Sequence, residues 1–436
     1  MEDIQKIAPT RSLVSYAASF TAVSLLIGNK LNSISIILLV VAWLLEGGFR
    51  QRWQVLRRQP FVYLCAGLYA CYVLSYFFSE DQKTAAFFLE KKLSLLLLPP
   101  VLLSATTASD RQLAFIRRVF IAGVLLMALV SVAIAIRQFV LTGSRTWFFY
   151  HKLSDPVGFS AIVASLFASL AFVLLCAEEC WNKWTVLCAL VLFGWILLLT
   201  SKLFLLVMLL LVFMEAGRRL SRRSKWLLLS VLLGLCLLFS WFDNPLRRRF
   251  EDMAKFRPEY LEASSFGPDK YFDGLSLRLI YLKFSVEIMR EKGHLLRGVG
   301  SGDAEQLLRQ KITDYRMYTG NGRPGSEGYL KYGFHNQYLQ VLVQMGLSGL
   351  LAFVGLLLYC IRKAIKEKNQ LLLGLMLVFC LSFLTDTLME HQVGLVSFLL
   401  FTSIALRSGA NGTISASLTP IKEQSRSGRR PDVQPV

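Results

Sequence analysis

The stretch YGFHNQYLQVLVQMGLSGLL, residues 332–351, joins a long polar segment to a hydrophobic run of helical length. His335 lies at this junction, followed by Asn336 and, after nine intervening residues, by Gly346. Histidine is the side chain most easily poised near neutral pH. At a membrane boundary, His335 could meet a water-soluble group as a general base, or it could be an interfacial residue bonded to a carbonyl.

The composition indicates a membrane protein. Of the 436 residues, 54% are hydrophobic, and the mean hydropathy is +0.50, which is too apolar for an average soluble protein. Apolar runs recur along almost the whole chain. Because helices satisfy their backbone hydrogen bonds inside lipid, these runs predict an all-α polytopic membrane protein.

We predict about twelve transmembrane helices, each near the roughly 20 residues that a bilayer requires. The predicted spans are 12–28, 32–47, 61–79, 92–107, 117–138, 157–176, 184–200, 203–217, 226–242, 336–361, 371–388 and 393–407. The predicted domains are helices 1–9 in residues 1–241, one large, partly helical periplasmic loop domain in 242–335, helices 10–12 in 336–407 and a disordered cytoplasmic tail in 408–436.

The net charge of +19 follows a topological pattern. Basic residues cluster in alternate short loops, at 50–58, 111–118, 218–225 and 362–368, as expected of loops that stay cytoplasmic. An even number of spans then places both termini in the cytoplasm and the long loop outside, in the periplasm of a bacterial inner membrane. This pattern argues against a nucleic-acid partner and for membrane lipids.

The sequence suggests neither a disulfide framework nor a metal site. The eight cysteines lie in or beside apolar runs, with none in residues 242–334, and the 4 histidines have no metal-ligand spacing. We therefore expect no metal and no cofactor.

The long loop is predicted to contain two helices. Ser276 can cap the first, and Asp303 can cap the second, which runs to Lys311. The apolar positions of the first helix follow helical spacing, at Leu277, Ile280, Tyr281, Phe284 and Ile288. The glycine loop, residues 298–302, lacks the lysine and the preceding strand of a phosphate loop, so we interpret it as a turn that allows close backbone packing.

Several charged residues are candidates for binding or catalysis. Arg278 lies near the start of the first loop helix, where the helix dipole disfavours a cation. Its guanidinium could grip phosphate, or it could be a solvated arginine. Lys202, between two apolar runs, could hold a lipid-linked phosphate or extend to lipid headgroups.

A weaker set comprises cations and carboxylates at the same predicted face. For the cations, Lys91, Lys92, Arg137 and Arg145, interfacial anchoring is the favoured role. Asp386 and Glu390 are costly near lipid unless they are paired, so they could pair with a cation or polarise His335. Structural pairing ranks above catalysis. Asn336 could orient His335 or bond a sugar.

The order of these elements resembles the O-antigen ligase family, whose superfamily includes O-antigen polymerases and protein O-oligosaccharyltransferases. The likeness rests on Lys202, Ser276-Leu277-Arg278, the glycine loop and His335-Asn336-x9-Gly346, and covers roughly the third span to the twelfth. It implies a metal-independent transfer of polysaccharide from undecaprenyl diphosphate to a sugar of the lipid A core.

The resemblance also implies residue roles. His335 corresponds to the family's loop histidine and Arg278 to its loop arginine. Lys202 stands where the family has the arginine of an Arg-x3-Leu element, so the charge is kept and the bidentate fork is lost.

We therefore expect an inverting glycosyltransferase of the O-antigen ligase type, with His335 and Arg278 as catalytic residues. The expected substrate-binding residues are Lys202, Asn336, Arg145, Arg137, Lys92 and Glu390. A polymerase or a protein O-oligosaccharyltransferase using a lipid-linked donor remains an alternative. A transporter is more remote, because the halves of the chain show no internal repeat.

Overall fold

The computed structural model describes residues 12–105, 109–178, 181–221, 223–225, 230, 234, 257–292, 294–321, 323 and 326–417. The described part of the chain is helical and contains no strand. The predicted all-α class is therefore confirmed. The predicted ninth span, 226–242, and the tail from 418 onward lie outside the described residues, apart from residues 230 and 234.

The first part of the chain is a succession of helices, most of them apolar, joined by short connections. They are α1 (Leu13–Ser24), α2 (Asn29–Leu45), α3 (Phe49–Leu56), α4 (Pro60–Phe78), α5 (Gln82–Lys92), α6 (Ser94–Ser104), α7 (Asp110–Thr142), α8 (Tyr150–Ser154), α9 (Ala161–Cys176), α10 (Lys183–Leu199) and α11 (Lys202–Arg219).

Two helices of the inserted domain, which we define as the described residues between α11 and residue 335, precede the last three helices. They are α12 (Gly274–Lys292) and α13 (Ala304–Asp314), followed by α14 (Gln337–Lys366), α15 (Gln370–Phe383) and α16 (Gln392–Ser417).

Fewer helices are long enough to cross a membrane than the sequence predicts. Within the described ranges, α4, α7 and α14 qualify by length and composition. The number rises to five if α2 with α3, bent by 114°, and residues 150–176, bent by 78°, each form one span. Helices such as α1, α10 and α15 are apolar but have fewer than the roughly 20 residues of a straight span. The count of twelve is thus not confirmed.

Asp273 begins the first helix of the inserted domain. Its carboxylate accepts hydrogen bonds from the backbone N–H of Leu275 at 2.8 Å and of Ser276 at 3.2 Å, and from the Ser276 hydroxyl. The predicted cap at Ser276 is therefore wrong, because a carboxylate three residues earlier satisfies the unpaired N–H groups of the first turn. Ser276 lies inside α12 and is buried.

The apolar side of α12 forms the core of the inserted domain. All five predicted apolar positions of this helix are buried, together with Ala304, Leu308 and Ile312 of α13. Val343 of α14 belongs to the same core. The inserted domain therefore packs on the first half of α14, the helix that begins directly after His335.

Asp303 precedes α13, as predicted, but its carboxylate has other partners. It accepts hydrogen bonds from the backbone N–H of Glu80 at 2.8 Å and of Asp81 at 2.9 Å. The start of α13 is thereby tied to the connection between α4 and α5.

Helix α14 is broken at Gly346, which has φ 64° and ψ −160°. An unbroken helix would bond the carbonyls of residues 343 and 344 to the N–H groups of residues 347 and 348. The break frees all four of these groups inside an apolar helix, where each would be costly if unpaired.

The chain at residues 295–300 satisfies these four groups. Val299 and Gly300 donate their N–H groups to the carbonyls of residues 343 and 344, at 2.9 and 3.1 Å. In return, Leu347 and Ser348 donate to the carbonyls of residues 295 and 296, at 2.8 and 3.2 Å. The glycine loop therefore binds the backbone of α14 at the break. This agrees with its interpretation as a turn that allows close backbone packing.

Glycine is required where the glycine loop contacts the break in α14. A Cβ on Gly346 would lie 2.5 Å from the backbone of residues 296 and 298, and a Cβ on Gly298 would lie 2.6 Å from that of residues 343, 345 and 346. The loop also contacts the end of α4, because Ser301 and Gly302 donate their N–H groups to the hydroxyls of Ser75 and Ser79. The spacing from His335 to Gly346 thus sets where α14 breaks.

We expect Gly346→Ala to lower the stability of the protein by about 2 kcal/mol or more, because alanine disfavours this backbone conformation and its Cβ strikes residue 296. Gly355→Ala is the matched control, since Gly355 lies in the same helix and a Cβ there meets nothing within 4 Å. Thermal unfolding of the purified variants measures the difference. Equal melting temperatures for the two variants would contradict the account of the break.

Candidate active site

His335 is held at the junction between the inserted domain and α14. Its backbone is left-handed, with φ 49°, a conformation that non-glycine residues adopt rarely. The next residue, Asn336, caps α14 by accepting the N–H of Leu339 at 3.1 Å. The cap fixes the direction of the helix and, one residue earlier, the position of the imidazole.

The imidazole faces a carboxylate. His335 Nδ1 lies 3.6 Å from Asp386 Oδ1, and 23% and 15% of the two side chains are exposed. Burial raises the pKa of Asp386, but the hydrogen bond and charge of His335 outweigh it, so the net pKa lies below the usual aspartate value. Tyr281 stacks nearly parallel to the imidazole at 6.1 Å, and Tyr332 lies 5.2 Å away.

Arg278 reaches the residue before Asp386. Its Nε and Nη2 donate to the carbonyl of Thr385 at 3.1 and 2.7 Å, and its Nη1 donates to the carbonyl of Gly274 at 2.6 Å. Burial lowers the pKa of the guanidinium, while Asp386 opposes the shift. Arginine has five N–H donors, so these three bonds leave one N–H on each terminal nitrogen for a ligand.

The backbone of residues 384–386 is a common partner of the candidate residues. Asn336 donates from Nδ2 to the carbonyl of Leu384 at 3.2 Å. Arg278 takes the next carbonyl, and His335 faces the carboxylate of the residue after it. Three predicted site residues, from two distant parts of the sequence, thus meet on three consecutive positions of one segment.

Lys202 approaches the same site through Asp273. Lys202 is the first residue of α11. Burial raises the pKa of the Asp273 carboxyl, but hydrogen bonds from Ser276 and Leu275 outweigh it, with a smaller contribution from the charge of Lys202, so the net pKa lies below the usual aspartate value. Arg278 interacts electrostatically with the same carboxylate. The two predicted phosphate-binding cations therefore both lie within electrostatic range of one aspartate.

Lys92 and Glu390 are brought together, but they are buried. Lys92 is 0% and Glu390 8% exposed, and Lys92 Nζ lies 3.0 Å from Glu390 Oε2. Gln337, the residue after Asn336, donates to Glu390 Oε1 at 3.0 Å. Through Gln337 and residue 390, this pair adjoins the segment that carries the candidate site.

Arg137 and Arg145 are exposed, on the last turns of α7 and in the short turn that follows it. Among the residues that the structure describes, neither forms a hydrogen bond or ion pair with His335, Arg278 or Asp386. The chain after Arg145 does approach the site, because Tyr150 interacts electrostatically with Arg278.

Sequence reasoning missed Tyr150 and Asp273 as neighbours of Arg278, and it left Asp386 without a definite role. None of the three belongs to a motif, and the contacts of Tyr150 with Arg278 and of Asp386 with His335 are long-range. One backbone signal marks the site. Of the five non-glycine residues with positive φ in the described chain, two belong to the site, Tyr150 and His335, and a third, Thr200, lies two residues before Lys202. Such strain concentrates at functional sites.

The described residues offer no cluster of three His, Cys, Asp or Glu side chains that could hold a metal ion. The groups that converge are an imidazole with a carboxylate neighbour and two cations, Lys202 and Arg278, the latter with one further N–H on each terminal nitrogen. Such a set can remove a proton from a hydroxyl and can stabilise a developing negative charge nearby.

The fold and site define a helical, membrane-type protein with a cationic site beside a polar domain. Residues 186–354 match the model of the O-antigen ligase family, a range that includes Lys202, Arg278, His335 and Gly346. The resemblance drawn from the motifs is confirmed over this range, and the match supports membership of the O-antigen ligase family. No curated protein matches the chain. The family indicates a glycosyltransferase-like ligase activity on lipid-linked polysaccharide in a membrane.

We expect the Asp386 carboxylate to stabilise the fold only while it is ionised. Because its folded pKa lies below the ordinary value of about 3.9, its contribution is complete above that value and is lost as the pH falls through the lowered pKa. Asp386→Asn should therefore melt below wild type at pH 5, and the difference should shrink as the pH falls below about 4. A difference independent of pH would contradict the pairing with His335.

Proposed function

We propose that this protein transfers a polysaccharide from undecaprenyl diphosphate to a sugar hydroxyl of the lipid A core, at the periplasmic face of a bacterial inner membrane. The proposal rests on one observation, the meeting of His335 and Arg278 on residues 384–386. The family match supports the class of donor. The reaction joins two lipid-anchored substrates, so a site at the edge of apolar helices suits both.

His335 acts as the general base. Asp386 faces Nδ1, so a proton held there leaves the Nε2 lone pair for the acceptor hydroxyl. The 3.6 Å separation suits a ligand-free site, because catalytic hydrogen bonds are often long until substrate binds. Asn336 holds the start of α14 and offers its amide to a sugar.

Arg278 and Lys202 stabilise the leaving group. The two remaining N–H groups of Arg278 bind diphosphate oxygens, while Thr385 and Gly274 keep the guanidinium in place. Fixed donors aimed at developing charge lower the barrier without reorganising during the reaction. Lys202 adds a point charge, and Arg145 and Arg137 contribute at the exposed rim.

The step balances without a cofactor. The acceptor oxygen attacks the anomeric carbon of the donor as its proton moves to His335, and a new glycosidic bond forms. The bond from the anomeric carbon to the phosphate oxygen breaks, and its electron pair leaves on undecaprenyl diphosphate. A single attack from the opposite face inverts the donor linkage.

Two alternatives use the same chemistry. A polymerase would offer a hydroxyl of a second lipid-linked repeat unit, and a protein O-oligosaccharyltransferase would offer a Ser or Thr hydroxyl. A transporter is less favoured, because its charged or broken helices gather near mid-membrane, whereas the charges here gather at helix ends and the inserted domain.

We expect His335→Ala to lose roughly 10²–10⁴-fold in transfer rate, the usual contribution of a general base. The assay is attachment of polysaccharide to the lipid A core in a strain lacking its own ligase. His294→Ala is the matched control, since this exposed loop histidine contacts Arg297 at 2.7 Å, away from the 384–386 segment. Full attachment with His335→Ala would refute the base.

A deletion strain should separate ligase from polymerase. We expect long polysaccharide to accumulate on undecaprenyl diphosphate, because a missing ligase blocks only the last transfer. Extraction and sizing of the lipid-linked glycans measures this. Accumulation of single repeat units would instead identify a polymerase, and an unchanged lipopolysaccharide with missing glycoproteins would identify a protein glycosyltransferase.

A further inference from the structure

Lys92 and Glu390 form an ion pair that solvent does not reach. Lys92 Nζ lies 3.0 Å from Glu390 Oε2 and 5.1 Å from the centre of the Tyr72 ring. The Tyr72 hydroxyl lies 3.5 Å from Glu390 Oε1. With exposures of 0% for Lys92 and 8% for Glu390, neither group is open to a diphosphate or a sugar.

A buried ion pair is a poor means of stabilising a fold. The loss of hydration offsets much of the attraction, and apolar residues of similar volume often serve as well. An ion pair does penalise every arrangement that separates its charges, because one of them is then buried and unpaired. A buried ion pair therefore mainly fixes the relative positions of the groups that it joins.

The pair fixes one end of residues 384–390, which we call the 384–390 segment. Lys92 Nζ donates to the carbonyl of Met389, and the N–H of Met389 donates to Gln337 Oε1 at 2.9 Å. The Gln337 amide also donates to Glu390. Both backbone groups of residue 389 and the side chain of residue 390 are thereby held.

The same segment carries the site at its other end. His335, Asn336 and Gln337 are consecutive, and each contacts this segment, at Asp386, Leu384 and residues 389–390 respectively. A displacement at residue 390 would therefore change the register of Asp386 against the imidazole and of Thr385 against Arg278.

We propose that Lys92 and Glu390 are positioning residues for the transfer reaction. They hold the 384–390 segment on the start of α14, so that the His335–Asp386 and Arg278–Thr385 contacts form together. This inference rests on the proposed function, and it replaces substrate binding as the role of the pair.

The test removes both charges while keeping shape. In the full-length protein in lipid nanodiscs, Lys92→Met with Glu390→Gln should keep the melting temperature within a few degrees. The kcat for transfer should fall about 10-fold or more, with little change in KM for the lipid-linked donor, because small misplacement of reacting groups is costly. A purely structural pair would alter stability, and kcat only in proportion to the unfolded fraction.

Two further variants sharpen the comparison. Lys92→Arg keeps the charge and should retain most of kcat. Arg52→Met with Glu46→Gln is the matched control, because this pair is also 3.0 Å apart and mostly buried, at 5% and 13% side-chain exposure. It links α3 to the end of α2, which carry none of the site residues, so kcat should not change.

The outcomes distinguish the two proposals. Full activity of His335→Ala in this assay overturns the role of His335 as the base, and absence of transfer by the folded wild-type protein overturns the proposed function. An inactive His335→Ala beside a folded double variant with wild-type kcat overturns only the positioning role. If the double variant does not fold, Glu390→Gln alone decides, since it keeps the shape and an acceptor oxygen, and wild-type kcat in that folded variant overturns the positioning role as well.

Discussion

The candidate site depends on residues 384–386, which two separate parts of the chain, the start of α14 and helix α12, use as a common partner. Asn336 bonds the carbonyl of Leu384, Arg278 bonds that of Thr385, and His335 faces the carboxylate of Asp386. Each contact is modest by itself, but together they restrict one imidazole and one guanidinium to a small region. Preorganisation of this kind is what a transfer reaction without a cofactor requires.

The rest of the fold supplies the parts of this arrangement. The break at Gly346 opens α14 to the glycine loop, and this docking fixes the inserted domain on the first half of the helix. Arg278 arrives on α12 of that domain, and His335 arrives at the start of α14. Without the break, a straight α14 would offer no unpaired backbone groups to the glycine loop. Only the apolar core around Val343 would then hold the domain that carries Arg278 against the helix that follows His335.

Much of this was predictable from residue types and their spacing. A histidine at the end of a polar stretch, an arginine early in a helix and a glycine loop without phosphate-binding residues were recognisable singly, and the helices followed from apolar periodicity. The contact partners of these residues could not be predicted from the sequence. Asp386 lies fifty-one positions from His335, and a backbone carbonyl carries no sequence signal. Lys92 resembled an interfacial lysine, since the sequence does not show whether a helix end faces lipid or protein. The count of twelve spans is not confirmed, because several apolar helices of the described residues are short or bent.

The central claim is that Arg278 and His335 act on opposite sides of one donor linkage. A structure of the full-length protein with undecaprenyl diphosphate bound tests it most directly. The account predicts diphosphate oxygens at about 3 Å from the terminal nitrogens of Arg278, with its bond to Thr385 intact and His335 Nε2 facing the adjoining space. Diphosphate bound away from Arg278, or an imidazole turned from that space, would contradict the account.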